Sequence, residues 1–383
     1  MPHADLQTGP LPNPNETLIS CADHVKNAYV KVFQVQQRSQ NPEERLYARI
    51  VGYFLINLDR FRRTLGDKPI NYISEEINQQ VEGQSDKTTK LGSLFLQLIL
   101  GAHHSWTTPN ASPYSTPPSP NEQKDVFADI HESGKDPRIL EKQVLVRDGF
   151  RCLVNSMVNE SYGLRSDSLL ASVKAGRDLG MITKCCRIFC SSGDEDTREI
   201  TASVLSHFGI TDKDSVATTI FHDIRNALTL TLGCRFYFNE LETWFEPTCT
   251  KHEYIIFHAS TWRQPSLRAH DAVTLNIQDS FFATTTSFTE MMKSNPDQYL
   301  PDPKLLVLHA TCARVAHMSG VADLLLKSLP DFDFESWDVL APDGSDTDRL
   351  TDATSKLSLY DSGRPSGKAK LDAFLYSVTR LEI

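Results

Sequence analysis

Apolar residues recur at steps of three and four through the first hundred positions. Leu18, Cys21, Ala22, Val25, Ala28, Tyr29 and Val32 share one face of a helix predicted over 14–38, with Asn13 as its cap and Pro14 at its first position. The pattern repeats over 42–64, where Asn41 caps, Pro42 opens the first turn, and Ile50, Tyr53, Phe54, Ile56 and Leu58 form the apolar side. Two more helical stretches follow near 70–82 and 87–102. His103 and His104 then read as solvated residues at a helix end. From 105 to 137 the periodicity stops. Pro, Ser, Thr and Asn dominate, and such a stretch buries too little apolar surface to order itself, so it reads as a linker.

Beyond the linker the period changes repeatedly. Residues 138–146 are periodic enough for a short helix. Asp148-Gly149 is a turn dipeptide, and Phe150 to Val154 suits a strand. Helical spacing returns over 168–182 and over 197–208, with an acidic loop between them at 191–197. Leu228-Thr-Leu-Thr-Leu232 alternates as a strand, Phe236 to Phe245 follows as helix or turn, and Tyr254 to His258 is a further strand. Asp302 and Pro303 start a helix that runs to about Met318. Ser319-Gly320 breaks it, and a second helix continues to Ser328. Residues 343–370 are polar and read as loose. No internal repeat is present in the sequence.

Composition narrows the function classes. The 383 residues suggest two or three domains, and 40% apolar residues with 19 Phe and 11 Tyr supply a core. Net charge is −10, and between 145 and 262 there are 15 acidic against 12 basic side chains. That argues against a broad basic face for nucleic acid and leaves room only for a focused cleft, near Arg187, Arg225 and Arg235. The start Met-Pro-His-Ala-Asp-Leu-Gln has neither the basic nor the apolar region of a leader. The eight Cys therefore read as reduced thiols of an intracellular protein, nuclear or cytoplasmic, and the Asn159-Glu-Ser161 sequon carries no weight. No apolar run reaches the roughly 18–20 residues that a membrane span needs, so no membrane partner is expected. The sequence holds no Gly-x-Ser-x-Gly, P-loop, Gly-x-Gly-x-x-Gly or His-Glu-x-x-His motif.

One block stands out. Ile224-Arg-Asn-Ala-Leu-Thr-Leu-Thr-Leu-Gly-Cys-Arg-Phe-Tyr-Phe follows Arg147-Asp-Gly-Phe-Arg-Cys152 and Thr183-Lys-Cys-Cys-Arg-Ile188, and leads into Leu241, Trp244, Phe245 and Glu246. In this order the segments resemble the HNH nuclease family, most closely its fungal branch. Leu300-Pro-Asp-Pro-Lys-Leu-Leu and His309 to Ala322 are similar to the helix that accompanies the domain there. The resemblance covers roughly 138–330. It implies an α+β fold in which a ββα-metal hairpin and helix grip one divalent metal, Mg²⁺ or Zn²⁺, for phosphodiester hydrolysis of DNA or RNA. The expected organisation is a helical region at 1–104, the linker at 105–137, an HNH-like domain at 138–262, a C-terminal helical extension at 263–340 and a loose tail at 341–383.

The site residues implied by the resemblance are Arg187, Asn226 and Arg235. Asn226 matches the family's central Asn, which holds the hairpin in shape. Arg187 stands where the family's first His takes a proton from water, and Arg235 where its last His ligates the metal. A guanidinium stays protonated near neutral pH and has no free lone pair, so it neither accepts that proton nor binds a cation. Losing the base alone costs about 10²–10⁴ in rate, and losing the metal removes several kcal/mol more of charge stabilisation. The expectation is a degenerate nuclease, with reduced or lost activity and no cofactor; the two arginines remain chemically able to hold a backbone phosphate of DNA or RNA. Three other readings remain open. One is an interaction module that keeps only the scaffold. Another is an active enzyme with ligands relocated among His207, His222, Asp223, His252 and His258. The third is a structural zinc on Cys152, Cys185, Cys186 and Cys190, although common zinc spacing is absent. Phe236, Phe238, Trp244 and Phe245 read as core rather than as a platform for bases.

Overall fold

Helical spacing in the first hundred residues becomes five helices: α1 (Asp23–Arg38), α2 (Pro42–Arg60), α3 (Arg62–Leu65), α4 (Lys68–Asn78) and α5 (Asp86–Ala102). The computed structural model describes residues 6, 8–18, 20–103, 127–132, 136–190, 195–210, 219–259 and 271–327. Asn41 caps α2 as expected, its side chain accepting from Glu43 N at 2.9 Å. Asn13 closes only a local turn, accepting from Asn15 N at 2.9 Å, and α1 begins nine residues later than the spacing predicts. The interruption falls at Leu18, whose φ of 55° places it in the left-handed region, where a helix cannot pass. Val25, Ala28, Tyr29 and Val32 are buried on α1 as the pattern required.

The middle of the chain is α6 (Pro137–Arg147), β1 (Val158–Asn159), α7 (Asp167–Lys174), β2 (Gly180–Met181), β3 (Thr183–Arg187), α8 (Glu195–His207), β4 (Ala227–Thr231), α9 (Leu232–Asn239), β5 (Thr243–Pro247), β6 (Glu253–His258) and β7 (Ala272–Thr274). Among the described residues three small sheets result: parallel β1–β2, antiparallel β3–β4, and antiparallel β5–β6–β7. The strand expected at 150–154 does not form. Gly149 and Phe150 both have positive φ, 63° and 58°, so the chain turns sharply and only Arg151 bridges to Val158. The helix expected over 168–182 stops at Lys174, ahead of Gly176 at φ 67°, and the rest enters β2. Trp244, Phe245 and Glu246 lie in β5, beyond the end of α9, because Leu241 at φ 59° turns the chain.

The C-terminal part holds α10 (Thr286–Ser294), α11 (Pro303–Ser319) and α12 (Val321–Lys327). Asp302 caps α11, accepting from Lys304 N at 2.8 Å, and Gly320 at φ 89° ends it. α11 is buried on nearly every side and lies between α2 and β5. Arg314 of α11 donates to Asn57 Oδ1 of α2 at 2.6 Å and to Glu246 Oε1 of β5 at 3.0 Å. Arg60 of α2 reaches the other Glu246 oxygen at 2.8 Å. One continuous apolar core therefore runs from the N-terminal helices through β3, β4 and α9 to α11. The fold is a mixed helix-and-strand, α+β arrangement. Most of the expected linker, residues 104–126, and the tail at 341–383 lie outside the described residues. The last part of the linker range differs from expectation: Phe127 and Ile130 are buried against Phe150 and Leu145. Among the described residues, no helix is long and apolar enough to cross a membrane.

Candidate functional site

β3 and β4 pair from Thr183↔Thr231 to Arg187↔Ala227, and α9 follows β4 without a gap. Thr231 is the hinge: as the cap of α9, its hydroxyl accepts from Cys234 N at 3.4 Å. At the other end of β4, Asn226 is fully buried. Its Oδ1 accepts from Phe189 N at 2.9 Å and its Nδ2 donates to Phe189 O at 2.8 Å. The Asn226 carbonyl also accepts from Ile188 N at 3.0 Å. One side chain thus satisfies both backbone groups of a buried residue and pins the chain leaving β3.

The lead-in segment clamps the same hairpin from α6. Arg147 is fully buried and its Nε and Nη2 grip the Asp148 carboxylate at 2.7 and 2.9 Å. The guanidinium also donates to Ile224 O at 2.8 Å, Tyr299 O at 3.1 Å and Ala227 O at 2.7 Å. Asp148 Oδ2 in turn accepts from Thr229 N of β4 at 2.9 Å. A buried ion pair costs desolvation unless its remaining donors are matched, and here each guanidinium nitrogen has a partner. From sequence, the Arg147-Asp148 pair carries no role beyond its place in the lead-in segment and the Asp148-Gly149 turn. Two adjacent opposite charges in an apolar stretch were the available signal.

Strand alternation separates the residues of β3. Cys185 shares a face with Arg187 and packs against Leu140, Val144 and Ala227. Cys186 faces α9, where its Sγ donates to Asn239 Oδ1 at 3.2 Å. Arg187 ends the strand half-buried, and Arg235 is half-buried on α9. The two guanidiniums come within electrostatic reach of one thiol: burial pushes Cys185 up to about 11, the Glu141 carboxylate adds to the rise, and the positive charges of Arg187, Arg147 and Arg235 oppose it. Arg187 Nη1 is buried and has no hydrogen-bond partner among the described residues. Neither Arg187 nor Arg235 has a carboxylate within ion-pair distance among those residues. Arg147, Arg151, Arg225 and Arg314 are tied to Asp148, Asp178, Asp223 and Glu246. The expected cleft near Arg187, Arg225 and Arg235 is thereby narrowed to two residues, since Asp223 grips Arg225 through Nε and Nη2.

The candidate relocated ligands are held apart. His207 is exposed on α8 and bonds to Ser203 O, His252 bonds to Asp297 at 3.0 Å, and His258 bonds to Thr243 at 2.7 Å. Among the described residues, no three His, Cys, Asp or Glu side chains gather at metal-binding spacing. A zinc on Cys152, Cys185, Cys186 and Cys190 fails on geometry, because Cys185 and Cys186 point to opposite faces of β3. The guanidiniums of Arg187 and Arg235 do not suit a dication either, since neither offers it a lone pair.

Two histidines differ from the sequence expectation or were given no role by it. His103 is not solvated: its Nε2 sits 2.8 Å from Glu240 Oε2, and the two side chains are 10% and 1% exposed. The end of α5 is packed onto the end of α9, a contact that local sequence cannot encode. His309 of α11 is fully buried and stacks on Phe238 with ring centroids 3.9 Å apart and planes 2° from parallel. Burial pushes its pKa down to about 3. Phe238, Trp244 and Phe245 are core residues, as expected, while Phe236 is half-buried. No family model, curated protein or solved structure matches the chain.

Proposed function

We propose that the β3–β4–α9 unit is an HNH-type scaffold in which arginine occupies the base and metal positions. In this reading the site holds the phosphate backbone of DNA or RNA and cleaves it slowly or not at all. The observation that carries the reading is the pair of guanidiniums acting on Cys185 with no carboxylate in ion-pair distance of either among the described residues, one of them with a buried nitrogen that has no partner there. A buried N–H without a partner costs about 1–3 kcal/mol, so an anion at this point relieves an existing penalty. Guanidinium forks match phosphate oxygens in pairs. The Asn226 latch and the Thr231 cap supply the rigid frame that such a contact needs.

Hydrolysis is the part the residues do not support. Attack on phosphorus needs a base to activate water and a positive centre that leaves room for that water. Arg187 and Arg235 provide charge but no base. The acidic balance of the region fits a contact with one or two phosphates rather than a long backbone track.

Fluorescence anisotropy with a labelled single-stranded or duplex oligonucleotide, repeated from low to moderate salt, tests this. Two neutralised phosphates give a slope of log K against log salt of about −1.4 for single strands and about −1.8 for duplex. Arg187→Ala and Arg235→Ala should each remove about half of that slope. Absence of binding at low salt would overturn the reading and leave a scaffold that serves only protein contacts.

A further inference from the structure

Two thiols distant in sequence meet behind the hairpin. Cys152 follows the lead-in segment and Cys234 lies in the first turn of α9. Both are buried, at 1% and 2% exposure. Cys152 Sγ donates to Thr231 Oγ1 at 3.9 Å. Asn155 Nδ2 bridges the group, reaching Thr231 Oγ1 at 3.4 Å and Cys234 Sγ at 3.5 Å. Both sulfurs thus converge on the same Thr231 hydroxyl and Asn155 amide. The loop carrying Cys152 is tightly closed, with Ser156 N donating to Cys152 O at 2.9 Å and Cys152 N to Met157 O at 2.9 Å. All eight cysteines are free.

We infer that Cys152 and Cys234 form a reversible disulfide on exposure to a hydroperoxide, joining the lead-in loop to the first turn of α9. The pair is chemically asymmetric. Burial raises the Cys152 thiol, but the hydrogen bond from Cys234 and the backbone groups of Thr231, Asn155 and Val154 outweigh it and bring the pKa down. The same hydrogen bond, with burial, raises Cys234. Cys152 is therefore the attacking sulfur and Cys234 the resolving one. The Cys152 thiolate attacks one peroxide oxygen, the O–O bond breaks, and the departing hydroxide takes a proton to become water. Cys152 is now a sulfenic acid. Cys234 Sγ attacks the Cys152 sulfur, the S–O bond breaks, and hydroxide leaves as water with the Cys234 proton. In sum, two thiols and one hydrogen peroxide give one disulfide and two waters.

The other buried thiols are differently placed. Burial pushes Cys185 up to about 11 and Cys186 up to about 12, and the Cys186 Sγ is turned toward α9, where it donates to Asn239 Oδ1. Cys249 is exposed and serves as the internal comparison for simple accessibility. The cross-link would fix the turn immediately before Arg235, but the inference rests on the contacts both sulfurs share with Thr231 and Asn155 and is independent of the phosphate reading.

The test uses the full, reduced chain treated with hydrogen peroxide, then denatured, alkylated and digested for mass spectrometry. The expected result is the loss of two thiols, recovered in a Cys152–Cys234 linked peptide that dithiothreitol releases. In Cys234→Ser, dimedone should instead trap a sulfenic acid at Cys152. The inference is overturned if both residues remain alkylatable while Cys249 oxidises, or if Cys152 is found bound to any other cysteine. Circular dichroism of the reduced variant confirms that it is folded. If Cys234→Ala and Cys234→Ser both fail to fold, the linked peptide in the unmodified chain still decides the question.

Discussion

Replacing Asn226 with Ala removes one side chain and leaves two buried backbone groups without partners. Phe189 is fully buried, and Asn226 supplies the acceptor for its N–H at 2.9 Å and the donor for its carbonyl at 2.8 Å. Each group left unsatisfied costs about 1–3 kcal/mol, so Asn226→Ala, which strands two, should destabilise the fold by about 2–6 kcal/mol. That is a large part of the 5–15 kcal/mol typical of a folded domain. Asn226→Asp is the sharper probe. It keeps the acceptor for Phe189 N but places a carboxylate oxygen against Phe189 O unless it is protonated. The folded pKa of that Asp would lie above the unfolded value of about 3.9. The folded state then binds more protons than the unfolded state between those two values, so stability falls as pH rises through that window. Urea denaturation followed by far-ultraviolet circular dichroism, run from pH 4 to 8, measures both effects. A loss under about 1 kcal/mol in Asn226→Ala, or a flat pH difference between Asn226→Asp and the unmodified chain, would refute the latch.

Two further effects follow from the same frame. Asp148→Asn leaves the fully buried Arg147 without its counter-charge and weakens the acceptor for Thr229 N, so it should cost about 3–5 kcal/mol by urea denaturation. For His309 the folded pKa of about 3 lies below the unfolded value near 6.5, so the unfolded state binds more protons between them and stability falls as pH drops below about 6.5. The contribution amounts to about 2 kcal/mol by pH 5, and His309→Phe, which keeps a ring against Phe238, should flatten that part of the stability–pH curve.

Caps were legible in the sequence where the signal was local. Asn41-Pro42 and Asp302-Pro303 both start helices at the expected residue. Asn13-Pro14 carries the same signature and fails, for a tertiary reason. The segment before it is tied down elsewhere: Gly9 N donates to Met318 O at 3.1 Å, Tyr53 OH donates to Pro10 O at 2.9 Å, and Leu11 N donates to Gln36 Oε1 at 2.9 Å. The alternation of Leu228 to Leu232 located β4 to within one residue, because both of its faces are buried and its register is fixed by β3. The misplaced strand at 150–154 and the missed β5 share a cause. Phe150 and Leu241 take positive φ, which their residue types do not announce. The order of segments singles out Arg187, Asn226 and Arg235, and the structure puts the first two at one end of the β3–β4 pair and Arg235 on α9. The five-bond Arg147 clamp could not be read in advance, since its acceptors are Asp148, Ile224, Ala227 and Tyr299, spread over more than 150 positions. The His103–Glu240 contact is hidden for the same reason.

In the proposed reading, the guanidiniums at the β3–β4–α9 site hold phosphate and cleave the phosphodiester too slowly to matter, if at all. A supercoiled plasmid incubated with the protein in Mg²⁺, Mn²⁺ or Zn²⁺, and resolved on a gel with and without detergent, reads both halves of it. The account predicts retarded plasmid at low salt that returns to intact supercoil in detergent, with the retardation lost in the Arg187→Ala, Arg235→Ala double variant. Relaxed or linear product that depends on the metal, and that Asn226→Ala abolishes, would contradict it.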